Sequence, residues 1–196
     1  VLDLRHNGLT GTIPVTFSGL AGIQVLYLQF NQLTGGVPPE LGGLTTLTDL
    51  RLQSNLLTGE IPTTLSSLTN LHTLYIHLNQ LSGSIPPALG NLLNLRYLHL
   101  YSNRLTGTIP PELGALTQLV DLSLNSNSLE GPIPAELGGL TQLQILTLNG
   151  NMLSGSIPTS LTNLTALAPA TTNLGYNALS ASDPALVAFL NVKDPD

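Results

Sequence analysis

The sequence repeats itself every 24 residues, and this period constrains the fold more than any other feature. It is clearest between Leu95 and Leu116, LRYLHLYSNRLTGTIPPELGAL, whose first half reads L-x-x-L-x-L-x-x-N-x-L. The asparagine of this pattern recurs at Asn7, Asn31, Asn55, Asn79, Asn103, Asn127 and Asn151, and once more, two residues late, at Asn177. A fixed period of this size is typical of a solenoid, in which each unit packs only on its neighbours. The sequence therefore predicts one continuous stack of eight copies, repeats 1 to 8.

Composition narrows the classes of function. Only 8% of the residues are charged, the net charge is −6 and there is no cysteine. Five basic residues are too few to form the cluster that nucleic acid requires, so no nucleic-acid partner is expected. No apolar run approaches the length of a membrane span, so no membrane insertion is expected.

Local pattern predicts the conformation of each repeat. Positions four and six, Leu98 and Leu100 in repeat 5, alternate with polar residues and predict a short strand whose leucines point inward. The asparagine at position nine is expected to turn the chain and to bond backbone groups of adjacent copies as a buried ladder. Ile-Pro, as at Ile109-Pro110, suits the end of a second short strand. The segment that follows is too short for an α-helix and predicts one turn of 3₁₀ helix.

These motifs resemble the leucine-rich repeat family, and the appended L-T-G-x-I-P-x-x-L-G-x-L resembles its plant-type subclass. The resemblance implies an α/β leucine-rich-repeat solenoid. It would be a curved right-handed superhelix with a parallel β-sheet on the concave face and 3₁₀ and loop segments on the convex face. It also implies an extracellular or cell-surface protein that recognises a ligand without catalysis. The consensus residues build the scaffold and do not identify that ligand.

The sequence also predicts features at both ends of the chain. We divide it into a repeat solenoid, residues 1–179, and a C-terminal helical cap and tail, residues 180–196. The tail, with Ser182 or Asp183 as helix N-cap and Pro184 in the first turn, resembles the closing segment of secreted or surface plant-type repeat proteins of bacteria. The chain begins inside a repeat, so we expect a further segment, or end-to-end self-association, at that uncapped strand edge.

The non-consensus positions beside the concave strands point to a binding surface. Aromatic, imidazole and guanidinium side chains concentrate there in repeats 2 to 5, whereas repeats 6 and 7 offer only small or amide groups at positions five and seven. Tyrosine and arginine are enriched in interfaces, and solenoids use this face for recognition. We therefore predict a binding site for a protein, peptide or glycan, called here the aromatic patch: Tyr27, Arg51, Tyr75, His77, Tyr97, His99 and Tyr101.

The main alternative is a structural or adhesive surface module in which the same side chains only stabilise the sheet by cross-strand and cation–π contacts. A lesser alternative is binding to ice or a carbohydrate surface through a column of hydroxyls, broken by Glu130, at Thr10, Thr34, Thr58, Ser82, Thr106 and Ser154.

The sequence gives little support for catalysis or for metal binding. Asp49 and Asp121 are three repeats apart, roughly 14 Å, which is too far for a glycosidase pair. No nucleophile elbow or phosphate-binding loop is present, so we predict no catalytic residues and no enzyme activity. His77 and His99 lie on adjacent strands but lack a compact ligand motif, so no metal site and no cofactor are predicted. A pH-dependent binder remains a hypothesis, since four concave histidines would gain charge below about pH 6.5.

Overall fold

Each repeat adds one short strand to a parallel sheet in the computed structural model of the chain, which describes residues 1–193. The strands follow one another in chain order: Leu2–Asp3, Val25–Tyr27, Asp49–Arg51, Thr73–Tyr75, Tyr97–His99, Asp121–Ser123, Ile145–Thr147 and Thr172–Asn173. Residues paired on neighbouring strands are one repeat apart in the sequence, as Leu74 is from Leu98 and Tyr75 from His99. Leu98 and Leu100 are fully buried, as are most of their counterparts. The predicted parallel concave sheet is confirmed.

A second row of strands follows the turn at each asparagine. These strands are Thr10–Thr12, Gln32–Thr34, Ser82–Ser84, Arg104–Gly107, Ser128–Gly131, Met152–Ser156 and Ala178–Ser180. The last five form one parallel sheet and the first two pair separately. In repeat 3 the row continues as a single bridge between Glu60 and Ser82.

The convex side consists of 3₁₀ helices, as the sequence predicts. They span Val15–Gly19, Pro39–Gly43, Thr63–Ser67, Pro87–Asn91, Pro111–Ala115, Ala135–Gly139 and Thr159–Asn163. Each begins after the proline of Ile-Pro or Val-Pro, which is held extended, for example at φ −63° and ψ 129° in Pro62. Proline fixes φ and lacks an N–H, which suits the residue just before the turn; the second-row strands end two to four residues earlier, as Arg104–Gly107 does before Pro110. The 3₁₀ turns and the strands enclose a core made almost entirely of leucine and isoleucine.

The asparagines join consecutive repeats. In repeat 5, Asn103 Nδ2 donates to the carbonyl oxygens of Leu100 (3.0 Å) and Ile76 (3.1 Å). Its Oδ1 accepts from the backbone N–H of Leu81 at 3.0 Å. The Ile76 oxygen also accepts from Asn79 Nδ2, so both repeats share one acceptor. Comparable bonds recur from Asn31 to Asn177, which links the side chains into a ladder along the solenoid.

A helix at Pro184–Lys193 lies against the last repeats. Asp183 Oδ1 accepts from the backbone N–H of Leu186 at 2.8 Å, which is the bond expected of an N-cap. Leu186 is buried, whereas Val187 lies outward and is 37% exposed. Leu186, Phe189 and Leu190 form the face of the helix that packs against the core. Of the expected cap segment 180–196, residues 194–196 lie outside the described residues.

The helices found within residues 1–193 include none with both the length and the apolar character needed to cross a bilayer.

Candidate functional site

One column of the concave sheet is a continuous stack of rings and guanidinium groups. Tyr27, Arg51, Tyr75 and His99 occupy the same position on four successive strands. The Arg51 guanidinium carbon lies 4.8 Å from the Tyr27 ring centre and 5.2 Å from that of Tyr75. The Tyr75 and His99 rings stack at 4.2 Å between centres and 13° between planes. Arg5, from the neighbouring column of repeat 1, places its guanidinium carbon 5.4 Å from the Tyr27 ring centre. The cross-strand contacts expected from the sequence are thus present.

A second, shorter stack runs beside the first. His77 and Tyr101 stack at 4.2 Å between centres and 18° between planes. His77 also meets Tyr75 edge-on at 5.6 Å and His99 at 5.5 Å. Six of the seven predicted patch residues therefore form one connected cluster across repeats 2 to 5. The seventh, Tyr97, lies on the same strand as His99 and is half-buried.

The charges of the cluster are paired internally. Asp49 accepts two bonds from Arg51, from Nε at 2.9 Å and Nη2 at 2.8 Å, and one from the Tyr27 hydroxyl at 2.9 Å. Burial, followed by the Asp49 bond, raises the pKa of Tyr27. The same carboxylate raises the pKa of Arg51, which stays charged. An anionic ligand would have to compete with Asp49 for this guanidinium.

Asp121 lies at the other end of the column, beside His99. Its Oδ2 lies 2.9 Å from His99 Nε2, and its Oδ1 accepts from the Ser123 hydroxyl at 2.7 Å. Asp121 Oδ2 lies off the N–H direction of His99, so the contact is an ion pair when His99 is protonated and not a hydrogen bond.

The environment of His77 changes the hypothesis that all four concave histidines gain charge below about pH 6.5. Its side chain is buried, and burial together with the neighbouring His99 lowers the pKa of His77 to about 4. His77 therefore stays neutral well below the range in which an exposed histidine gains its charge. Its Nδ1 is buried and has no hydrogen-bond partner within residues 1–193, and the same holds for Oε1 of Gln29 and Gln53 on the two preceding strands. Sequence reasoning did not single out these two glutamines, because glutamine at a strand position usually faces solvent.

The arrangement suits recognition better than metal binding or acid–base chemistry. Among residues 1–193, no group of three or more histidine and carboxylate side chains is placed to hold a metal ion. Asp49 and Asp121, the carboxylates weighed for hydrolysis, are each engaged by the partners described above. What the concave face presents is ring edges, tyrosine hydroxyls and amides.

The hydroxyl column weighed for ice binding lies along the second row of strands. Thr34 donates to the Gly11 carbonyl at 3.2 Å and Ser82 to the Gly59 carbonyl at 3.5 Å. Two of the six hydroxyls therefore bond the preceding repeat, and the exposed Glu130 interrupts the row. Both observations favour a role in the scaffold over a role as an ice-binding surface.

The repeats identify the family. A Leucine rich repeat model matches residues 1–57 and 94–153, and a second Leucine Rich Repeat model matches residues 70–92. The chain belongs to the leucine-rich repeat family, and its motif and structural neighbours place it in the plant-type class. A search of curated proteins finds no significant match.

Solved structures with the same architecture come largely from plant receptors. The ectodomain of the Arabidopsis thaliana membrane receptor kinase GASSHO1/SCHENGEN3, in complex with Casparian strip integrity factor 2, is 42% identical with a TM-score of 0.91 over 96% of this chain. The Arabidopsis receptor kinase HAESA, in complex with the peptide hormone IDA and the co-receptor SERK1, is 37% identical with a TM-score of 0.86 over 91% of it. A plant ice-binding protein is 33% identical with a TM-score of 0.79 over 91% of it.

This chain spans only part of those molecules. It covers 22% of the GASSHO1/SCHENGEN3 chain, 30% of the HAESA chain and 57% of the ice-binding protein.

Proposed function

We propose that this chain is a ligand-recognition module that binds a protein, peptide or glycan on its concave face through the aromatic patch. One observation carries the proposal, namely that six large aromatic or guanidinium side chains of repeats 2 to 5 form one connected cluster on a face otherwise made of scaffold residues. Clusters of tyrosine and arginine supply large contact areas at a modest entropic cost. The receptor ectodomains that resemble this chain, one of them in complex with a peptide hormone, support a binding role.

The proposal is for binding without catalysis. The support is that neighbouring side chains bind both Asp49 and Asp121. Neither carboxylate is therefore free to act as an acid or a base on a substrate. An extracellular or cell-surface location is part of the proposal, because the similar receptors are known from their ectodomains. Self-association at the N-terminal strand edge stays a prediction.

The test is binding of the wild type and of a Tyr75→Ala/His99→Ala/Tyr101→Ala variant to an unbiased array of glycans and peptides. Circular dichroism establishes that both proteins are folded. We expect the wild-type hits to disappear in the folded triple variant, since it removes rings from both stacks. Hits that persist unchanged would contradict a concave site.

The structural or adhesive module is the second candidate, and the stacking of the ring faces on one another favours it. Contacts of this kind stabilise a sheet by about 0.5–1 kcal/mol each, whether or not a ligand binds. In that case the triple variant would lose stability while every partner interaction stayed intact.

A further inference from the structure

Both stacks end at repeat 5. In repeats 6 and 7 the equivalent positions of the concave face carry smaller side chains. On the next strand Ser123 is the register partner of His99. Asn125 follows Tyr101 one repeat later, and Thr147 and Asn149 continue the two columns in repeat 7. The change from imidazole and phenol to hydroxyl and amide produces a step, with His99 and Tyr101 as its wall and Asn125, Thr147 and Asn149 as its floor.

The ring faces of the wall look onto this floor. Rings on adjacent strands stack at 4.2 Å, close to the strand spacing of about 4.8 Å, so their normals run along the solenoid axis. Tyr101 packs one face on His77 and turns the other toward repeat 6. Asn125 does not cover that face, because its Oδ1 accepts from the Thr147 hydroxyl at 3.0 Å and the side chain leans toward repeat 7. Among the described residues, no other ring stacks on Tyr101 from this side.

The floor is polar but uncharged. Asn125, Thr147 and Asn149 are all partly accessible. The Asn149 amide has no side-chain hydrogen-bond partner within residues 1–193, so both its donor and its acceptor are available to a ligand. The nearest carboxylate, Asp121, is 8% exposed and faces His99 and Ser123. An anionic group on the floor would meet this buried carboxylate without a free cation beside it.

We propose that this step is a subsite for one unit of an uncharged saccharide. The unit lies with its C–H face on the free face of Tyr101, and its hydroxyls bond to Asn125, Thr147 and Asn149. A flat aromatic wall beside neutral donors and acceptors matches a sugar ring, which presents C–H groups on its faces and hydroxyls around its rim. The inference rests on the proposed concave binding function and names the chemical class that this part of the face takes.

The test is titration of the folded chain with neutral hexasaccharides of glucose, mannose and xylose, followed by calorimetry and by saturation-transfer NMR. Asn125→Tyr places a ring against Tyr101, continues the shorter stack and fills the step. We expect it to lower affinity for the best saccharide by about tenfold or more without lowering the melting temperature. Gln118→Tyr adds the same side chain at an exposed position outside the concave face, and it should leave affinity unchanged.

A second pair of variants separates ring stacking from folding. Tyr101→Phe keeps the ring and should retain affinity within about threefold, whereas Tyr101→Leu removes the ring and should lose about tenfold. The subsite proposal is overturned if none of the saccharides binds at millimolar concentration, or if Asn125→Tyr binds the best saccharide as the wild type does. The wider proposal of a concave site is tested separately by the Tyr75→Ala/His99→Ala/Tyr101→Ala variant on the array of glycans and peptides. It survives if the folded variant loses the wild-type hits and fails if those hits persist.

Discussion

At the residue scale, two histidines of the concave face differ in their chemistry because they have different neighbours. His77 and His99 lie in adjacent repeats with ring centres 5.5 Å apart. His99 reaches a carboxylate, whereas His77 is enclosed by Tyr75, Tyr101 and His99 and has no partner for its Nδ1 within residues 1–193. Burial, and next the neighbouring His99, disfavours the charged form of His77 by more than Asp121 favours it.

This environment predicts a pH-dependent stability. The pKa of His77 is lowered to about 4 in the folded chain, against the usual 6.5 when unfolded, so the unfolded state binds more protons between these values. The free energy of unfolding should therefore fall as the pH drops from 6.5 toward 4 and level off below that range. After allowance for partial solvent access, the His77 contribution is about 1–2 kcal/mol.

Urea unfolding of the wild type and of His77→Gln across this pH range checks the prediction. Protonation of Asp121 and of the other carboxylates affects both proteins, so the difference between the two curves isolates the imidazole. His72→Gln, at an exposed position, is the matched control and should follow the wild type. Parallel curves for His77→Gln and the wild type would contradict the assignment.

At the scale of elements, close approach of neighbouring 3₁₀ helices explains one consensus glycine. In Pro39–Gly43, a Cβ on Gly42 would lie 2.3 Å from the carbonyl oxygen of Thr64 in the next repeat. The adjacent Gly43 has open space around the same position. Gly42 is therefore favoured because the backbone of the next repeat packs against it, and not because of the turn itself.

The two neighbouring glycines provide a matched pair of variants. We expect Gly42→Ala to lower the free energy of unfolding by about 2–3 kcal/mol, because the two helices must separate. Gly43→Ala should be neutral or stabilising by up to about 0.5 kcal/mol, because it only restricts the unfolded chain. Chemical denaturation of both variants measures the difference. Equal effects would mean that the helices move apart without cost.

At the scale of the whole molecule, the asparagine ladder joins the repeats into one cooperative unit. Nearly every contact in a solenoid is between neighbours, so stability depends on the interfaces between repeats. Each asparagine from Asn31 to Asn177 bonds its own repeat and the preceding one, whereas the exposed Asn7 donates to the Arg5 carbonyl of its own repeat. The carbonyl oxygen of Ile76 accepts from both Asn79 and Asn103. The ladder follows the leucine core for the length of the sheet.

Removing one member should weaken one interface in the middle of the stack. Asn103→Ala leaves the backbone N–H of Leu81 buried without a partner and takes one donor from each of two carbonyl groups. We expect a loss of about 2–3 kcal/mol in the free energy of unfolding. Asn149→Ala, whose amide has no side-chain partner among the described residues, should change stability by less than about 0.5 kcal/mol. Comparable losses in the two variants would argue against the ladder.

The sequence by itself determined the solenoid, its parallel sheet and its 3₁₀ turns, whereas the aromatic patch as a binding surface stays a prediction. Period, inward leucines and Ile-Pro pairs are local features that each repeat carries, and stacking identical units leaves little topological choice. The columns of concave residues could be read for the same reason, because a fixed register brings equivalent positions side by side.

Only the tertiary structure decided what those side chains do to one another. That Asp121 faces His99, that the buried His77 Nδ1 has no hydrogen-bond partner within residues 1–193 and that Asn125 leans away from Tyr101 all depend on rotamers and on contacts between repeats. Periodicity places Cα atoms but not the ends of side chains. Gly42 is a further case. A Cβ at this residue would lie 2.3 Å from the carbonyl oxygen of Thr64 in the next repeat, and only the folded chain brings these two repeats together.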